Sequence, residues 1–125
     1  MAAFEAISDS TYLHMAERIA NLIIGGHATA DGWRVPEHFT KKWVADRTYA
    51  GSPMLRPCGT TLGHSLEWSR LLLRLWKPGG RKLDWLPQSS KALFAKAVLE
   101  GWDKIKGGFY STLDWNGNAL VRDRY

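Results

Sequence analysis

The chain has 125 residues, which is enough for one domain, and it carries a formal net charge of +5. With 45% hydrophobic and 23% charged residues, its composition is that of a globular protein and excludes a disordered chain. The single cysteine, Cys58, excludes an intramolecular disulfide and a cysteine-rich metal site.

The first predicted helix covers residues 10–24. The stretch SDSTYLHMAERIANLII begins with serine and aspartate cap candidates, and its apolar residues then recur at helical spacing. The glycine pair Gly25 and Gly26 predicts the end of this helix. Residues 26–58 lack a helical period. Pro36 favours an extended backbone around it, and residues 46–59 are typical of a long loop.

Two more helices and a hairpin are predicted in the second half of the chain. The second helix covers residues 62–76 and stops before Pro78, and it is apolar nearly all round, which predicts a buried helix. The third covers residues 87–101. The final stretch alternates in polarity around an Asn-Gly pair, which predicts a β-hairpin with a type I′ turn. Three helices with long connectors do not close a small bundle, so we expect the chain to be part of something larger.

His64 and Glu67 are unusual polar residues at the start of the second predicted helix. They lie one turn apart, where side chains can meet. A neutral histidine beside an ionised glutamate can act as a general acid or base near neutral pH. The structural alternative is that Glu67 caps free backbone N–H groups and that His64 is a satisfied core residue. The spacing alone favours this alternative.

Other side chains also qualify as ligand contacts. Glu37 and His38 are neighbours in an extended stretch, so at most one of them faces a given cleft. Arg56 precedes the second helix and could bind hydroxyls or a charged group, or lie on the surface. Four tryptophans could stack on a sugar ring, although core packing is their default role: Trp33, Trp43, Trp102 and Trp115. The histidine and cysteine spacing does not indicate a structural metal site.

The basic residues are scattered and separated by acidic ones, which favours a solvated surface over a nucleic-acid patch. No apolar stretch is long enough to span a bilayer, so we expect no membrane partner. The start of the chain lacks the pattern of a signal peptide, and one cysteine suits a reducing compartment, so we expect a cytoplasmic protein.

Three stretches, in order, carry a resemblance to a known family. RPCGTTLGHSLEWSRLLL resembles RPYG-x-TPGH-x-x-EW-x-RLLL of the N-acylglucosamine 2-epimerase family, and is most similar to its mannose isomerase and sulfoquinovose isomerase branch. RVPEHFTKKW resembles the family's V-x-EHF-x-x-x-W, and GGFYSTLDWNGNALVRDRY resembles its GGFYYTLDW-x-G stretch followed by DRY.

The resemblance implies an (α/α)6 barrel with a sugar site at one mouth. It also implies an isomerisation or C2 epimerisation that needs no metal or cofactor and passes through a cis-enediol(ate), with histidines moving the proton. By matching position, His64 is similar to a catalytic histidine, and Glu67 to the acidic residue that holds it and contacts substrate. Four further residues fall where the family binds substrate: Arg56, Glu37, His38 and Trp68.

Departures from the family pattern refine these expectations. Met54 stands where the sulfoquinovose branch has an arginine, which favours a mannose-like or fructose-like sugar. Family members are several times longer, and their second catalytic histidine lies beyond the matching stretches. We therefore expect residues 1–125 to be one segment of a barrel, inactive alone. Its class would be all-α, with about three helices, long loops and a C-terminal β-hairpin.

Alternatives stay open at this point. The chain could instead be a non-catalytic remnant of the same barrel, which binds carbohydrate or pairs with a partner chain. A small basic nucleic-acid-binding module is a further alternative, although we expect no such binding. Helix faces left uncovered by an incomplete barrel carry a risk of aggregation or oligomerisation.

Overall fold

The structure, a computed structural model, describes residues 2–49, 51–52, 58–78 and 82–124. Its elements, in chain order, are helix α1 (Ala2–Ile7), helix α2 (Ser10–Ala20), a π-helix (Asn21–Ala28), strand β1 (Thr60–Thr61), helix α3 (Leu62–Trp76), helix α4 (Trp85–Gly101), strand β2 (Tyr110–Leu113) and strand β3 (Ala119–Arg124). Within the described ranges, no helix is both long and apolar enough to cross a membrane. The fold is mostly helical with one small sheet, so the expectation of a mainly helical chain with a C-terminal hairpin is confirmed at this level.

Helix α2 begins where the sequence predicts. The carboxylate of Asp9 accepts a hydrogen bond from the backbone N–H of Thr11 at 2.8 Å and caps the helix. The same bond holds the pKa of Asp9 below its usual value, because it favours the charged carboxylate.

The predicted end of this helix at Gly25 and Gly26 is wrong. The backbone widens into the π-helix and continues to Ala28. Ile24 and Ala28 are fully buried, so core packing overrides the stop signal of the glycines. Gly25 suits the wider turn, because a Cβ at this position would lie 2.7 Å from Oδ1 of Asn21.

Helices α3 and α4 form the centre of the fold. The predicted bounds of α3 are confirmed, whereas α4 starts two residues before the predicted position. Ser69 and Ser90 exchange buried hydrogen bonds across the two helices, each hydroxyl donating to the other's backbone carbonyl at 2.9 and 2.7 Å. The main core includes five buried side chains from three helical segments: Ile24, Leu72, Leu75, Leu86 and Leu93. Helix α3 is nevertheless not buried all round, because Leu73 is exposed.

The predicted hairpin is confirmed and is extended by a third strand. The strand order is β1-β2-β3, with antiparallel pairing throughout. The two-residue strand β1 pairs Thr60 with Leu113, and it is too short to produce a periodic signal in the sequence. Buried Gly59 leads into it with a φ of +81°, and a Cβ there would overlap the carbonyl oxygen of Leu113. The chain can therefore approach β2 this closely only with glycine.

The hairpin turn differs from the predicted type I′ turn. Gly117 has a positive φ but Asn116 does not, whereas a type I′ turn needs both. The loop closes instead through the carboxylate of Asp114, which accepts hydrogen bonds from the backbone N–H groups of Asn116 and Asn118. The side-chain amide of Asn118 and these N–H groups hold the pKa of Asp114 below its usual value.

The described part of the connection from the π-helix to β1 is mainly extended and irregular, as predicted. Phe39 and Ala45 form an isolated antiparallel bridge within it. Arg34 fastens this segment to the end of α4 by donating two hydrogen bonds to Glu100, at 3.0 and 2.6 Å. Arg56, in the predicted loop, lies outside the described residues.

Candidate functional site

The central contact of the site joins the extended segment to the start of α3. Oε2 of Glu37 lies 2.8 Å from Nδ1 of His64, and Oε1 of Glu37 accepts the backbone N–H of Thr61 at 3.0 Å. Thr61 is the N-cap residue of α3 and makes no cap bond with its own side chain. Glu37 therefore accepts a free backbone N–H at the start of α3 and holds the imidazole of His64 at the same time.

Local packing directs Glu37 towards α3. Val35 and Pro36, which precede it, are both buried and anchor the extended segment. The Glu37 side chain is only 13% exposed, whereas the His64 side chain is 57% exposed. His64 is thus accessible to a ligand, and the alternative that it is a satisfied core residue is wrong.

Glu67 occupies a different position from the one that the sequence predicts. We expected it to hold His64 or to cap the helix, yet Glu37 makes both contacts. The carboxylate of Glu67 lies 3.7 Å from the guanidinium of Arg70, and its side chain is 56% exposed. The physical reason is that the carboxylate of Glu37, from another segment, already binds Nδ1 of His64 and accepts the backbone N–H of Thr61.

His64 faces a cavity of about 350 Å³ between α3, the π-helix and the extended segment. Its polar lining consists of Glu37, His64 and Glu67, and its apolar lining includes Ile23, Val35, Phe39, Trp68 and Leu71. An open cavity with a few convergent polar groups is the usual form of a small-ligand site. The motif residues His64, Glu67 and Trp68 are therefore brought together with Glu37.

The geometry selects one ring nitrogen of His64 for chemistry. An ionised carboxylate can only accept hydrogen bonds, so Nδ1 of His64 donates to Glu37. The neutral ring then carries its lone pair on Nε2, which is free to accept a proton from a ligand. A carboxylate behind the ring also stabilises the imidazolium that forms when Nε2 takes a proton.

The other predicted ligand contacts do not converge on this cavity. His38 stacks on Tyr49 with ring centroids 3.6 Å apart and is not among the lining residues. This agrees with the expectation that only one of Glu37 and His38 faces a cleft. Arg56 lies outside the described residues, and none of Trp33, Trp43, Trp102 and Trp115 lines the cavity.

No three of the histidine, cysteine, aspartate and glutamate side chains within the described ranges are grouped closely enough to hold a metal ion. The role of Glu37 as the partner of His64 was missed from the sequence, because 27 residues separate the two. The only signal was its position in a stretch that resembles the family's cleft-lining segment.

Comparison with known proteins extends these observations. A family model described as N-acylglucosamine 2-epimerase (GlcNAc 2-epimerase) matches residues 1–125. The D-mannose isomerase of Thermobifida fusca is 40% identical in an alignment of 129 residues, gaps included. The alignment covers 99% of this chain and 31% of that protein. The D-mannose isomerase of Pseudomonas cannabina pv. alisalensis is 38% identical, with 99% of this chain and 32% of that protein covered.

A solved structure is also similar. The chain resembles a crystal structure of D-mannose isomerase with a TM-score of 0.90 and 33% sequence identity, covering 100% of this chain and 32% of that one. The chain therefore spans about a third of the length of the relatives that it matches.

Proposed function

Because the chain belongs to the N-acylglucosamine 2-epimerase family, we propose that it forms part of the active site of an aldose–ketose isomerase that acts on a mannose-like sugar. The observation that carries this proposal is the hydrogen bond between His64 and Glu37 at the edge of the cavity. Two relatives that match nearly all of the chain are named D-mannose isomerase, which supports mannose as the sugar. The single cysteine supports a cytoplasmic location.

The proposed reaction proceeds on the open-chain sugar, without a metal ion. Nε2 of His64 removes the proton on C2, and the electron pair of that C–H bond passes into a cis-enediol(ate). Return of a proton to C1 and transfer of the hydroxyl proton from O2 to O1 complete the ketose. Glu37 stabilises the imidazolium between the two transfers, and Arg56, Glu67 and Trp68 are proposed to contact the sugar.

We further propose that residues 1–125 form one portion of an (α/α)6 barrel, whose remaining helices would supply the second catalytic histidine. The outward faces of the helices support this proposal, because they expose large apolar side chains. Ile19 is 52% exposed and Leu99 is 70% exposed. The apolar face around Ile19 is extended by the exposed side chains of Tyr12, Met15 and Leu22, and α4 also exposes Phe94 and Val98.

The function is tested with a chimera. Residues 1–125 would replace the matched segment of the Thermobifida fusca D-mannose isomerase, and fructose formation from mannose would be measured. We expect turnover by the chimera and little turnover by residues 1–125 alone, because a proton-transfer isomerase needs groups around its substrate. A folded chimera without turnover would refute the isomerase proposal. Turnover by residues 1–125 alone that is abolished by His64→Ala would instead refute the proposal that the chain is incomplete.

The exposed apolar faces favour a second candidate role, which is pairing with another chain. We expect residues 1–125 to self-associate, and we expect Ile19→Lys or Leu99→Lys to weaken association about tenfold. The reason is that burying one aliphatic side chain contributes roughly 1.5–3 kcal/mol. Sedimentation velocity over a range of concentrations measures this effect.

His14→Lys is the matched control for the association experiment, because it adds the same charge to α2 on the side opposite Ile19. It should leave association unchanged. Equal behaviour of all three variants would show that these apolar faces do not mediate pairing.

A further inference from the structure

A second cavity, of about 360 Å³, lies between the π-helix and the start of α4. It shares none of its lining residues with the cavity at His64. Two indole rings, from Trp33 and Trp85, form part of its wall, and we call it the two-tryptophan cavity. We propose that this cavity is a second binding site, specific for a neutral monosaccharide.

The polar groups of the two-tryptophan cavity are available to a ligand. The side chains of Asn21, Gln88 and Ser89 line it and make no hydrogen bond to any other residue in the described part of the chain. Thr29 also lines it, and its hydroxyl donates to the carbonyl of Ile24 at 2.8 Å, which leaves its lone pairs able to accept. Amides and hydroxyls both donate and accept, as the hydroxyls of a sugar do.

Both tryptophans of the wall are anchored by core packing. Trp33 and Trp85 are half-buried, and each packs against the main hydrophobic core. Trp33 has a φ of +70°, which is rare for a bulky residue, and its backbone N–H donates to the carbonyl of Ala28 at 2.7 Å. Such strain is typical of functional positions. A fixed indole face beside free polar groups can stack on the apolar face of a sugar ring.

The charge of the lining decides between ligand classes. All the lining residues that belong to the described part of the chain are uncharged. Among these described lining residues, a phosphate or carboxylate ligand would be desolvated without a cation to pair with it. Neutral hydroxylated ligands meet no such cost, which is why we infer a sugar without a phosphate or acid group.

A substitution at Gly25 would fill part of this cavity without deleting any of the side chains that line it. An added Cβ would lie 2.7 Å from Oδ1 of Asn21 and 3.9 Å from the ring of Trp85. Because Gly25 is in the π-helix and has no positive φ, the substitution Gly25→Ala displaces the Asn21 amide rather than straining the backbone.

The test is a titration of residues 1–125 with methyl α-mannopyranoside, followed in ¹H–¹⁵N NMR spectra. This glycoside cannot open its ring, so it reports binding and not isomerisation. We expect saturable shifts of the indole N–H signals of Trp33 and Trp85. We also expect binding about tenfold weaker in Gln88→Ala and in Gly25→Ala, the loss expected for about one hydrogen bond.

Two control variants separate this site from the proposed active site. Lys91→Ala changes an exposed residue on α4 outside the lining, and it should bind as the unchanged chain does. Glu37→Gln should retain the indole shifts, since Glu37 belongs to the other cavity. Absence of indole shifts, unchanged affinity in Gln88→Ala with well-dispersed spectra, or tighter binding of glucose 6-phosphate would overturn the proposal. None of these outcomes depends on turnover by the chimera.

Discussion

Replacing His64 by alanine in the mannose isomerase chimera is expected to lower kcat by about 10²–10⁴-fold, the usual contribution of a positioned general acid or base. The imidazole is accessible at the cavity, and a carboxylate contacts its Nδ1. Steady-state conversion of mannose to fructose measures the effect. His14→Ala, which removes an exposed histidine distant from the cavity lining, should leave kcat unchanged. A similar loss in both variants would refute the role of His64.

The orienting role of Glu37 is tested separately from turnover. In the unchanged chain, the ring ¹⁵N shifts of the uncharged form of His64 should report a proton on Nδ1, the nitrogen that contacts Glu37. Glu37→Gln should reduce the population of this tautomer, because the amide can also present an N–H group to the ring. Glu67→Gln should leave the tautomer as it is, since Glu67 lies beside Arg70. A change of tautomer in Glu67→Gln but not in Glu37→Gln would show that Glu67 is the residue that orients His64.

Gly59→Ala should destabilise the fold by about 3 kcal/mol or more, since a left-handed alanine alone costs roughly 1–2 kcal/mol. The remainder comes from overlap of the new methyl group with the carbonyl of Leu113, which can be relieved only by moving β1 away from β2. The backbone N–H that Thr61 donates to Glu37 would move with β1. Denaturation in urea, monitored by tryptophan fluorescence, measures the loss.

Gly32→Ala is the matched control for this prediction. Gly32 has a φ of +60°, but nothing lies within 4 Å of an added Cβ. It should therefore cost only the roughly 1–2 kcal/mol of the backbone conformation. Equal losses in the two variants would show that the contact with Leu113 does not contribute.

The local elements of the fold could be predicted where sequence signals agree. Helix α3 has a continuous apolar period and ends just before Pro78, so both of its bounds could be predicted. The π-helix could not, because Gly25 and Gly26 indicate a stop and only the burial of Ile24 and Ala28 reverses it. Strand β1 depends entirely on its pairing with β2, which is not a local property.

Four of the six predicted site residues line one cavity, namely Glu37, His64, Glu67 and Trp68, but the contacts between them could not be predicted. The motif that resembles the family contains His64, Glu67 and Trp68, and these residues do line one cavity. Helical spacing favours a contact between residues one turn apart, and so it pointed to Glu67. The carboxylate that reaches His64 comes from a segment without regular structure, for which the sequence offers no periodic pattern to place it.

The segment between the π-helix and β1 also has a consequence for the order of folding. Its contacts are distant along the chain: Arg34 meets Glu100 across 66 residues, and Glu37 meets His64 across 27. Closing such loops costs entropy before any contact compensates for it, whereas α3 and α4 are neighbours in sequence and can associate first. The imidazole should therefore become ordered late. Protection of the backbone N–H of Thr61, which donates to Glu37, from solvent exchange would mark chains that have completed folding.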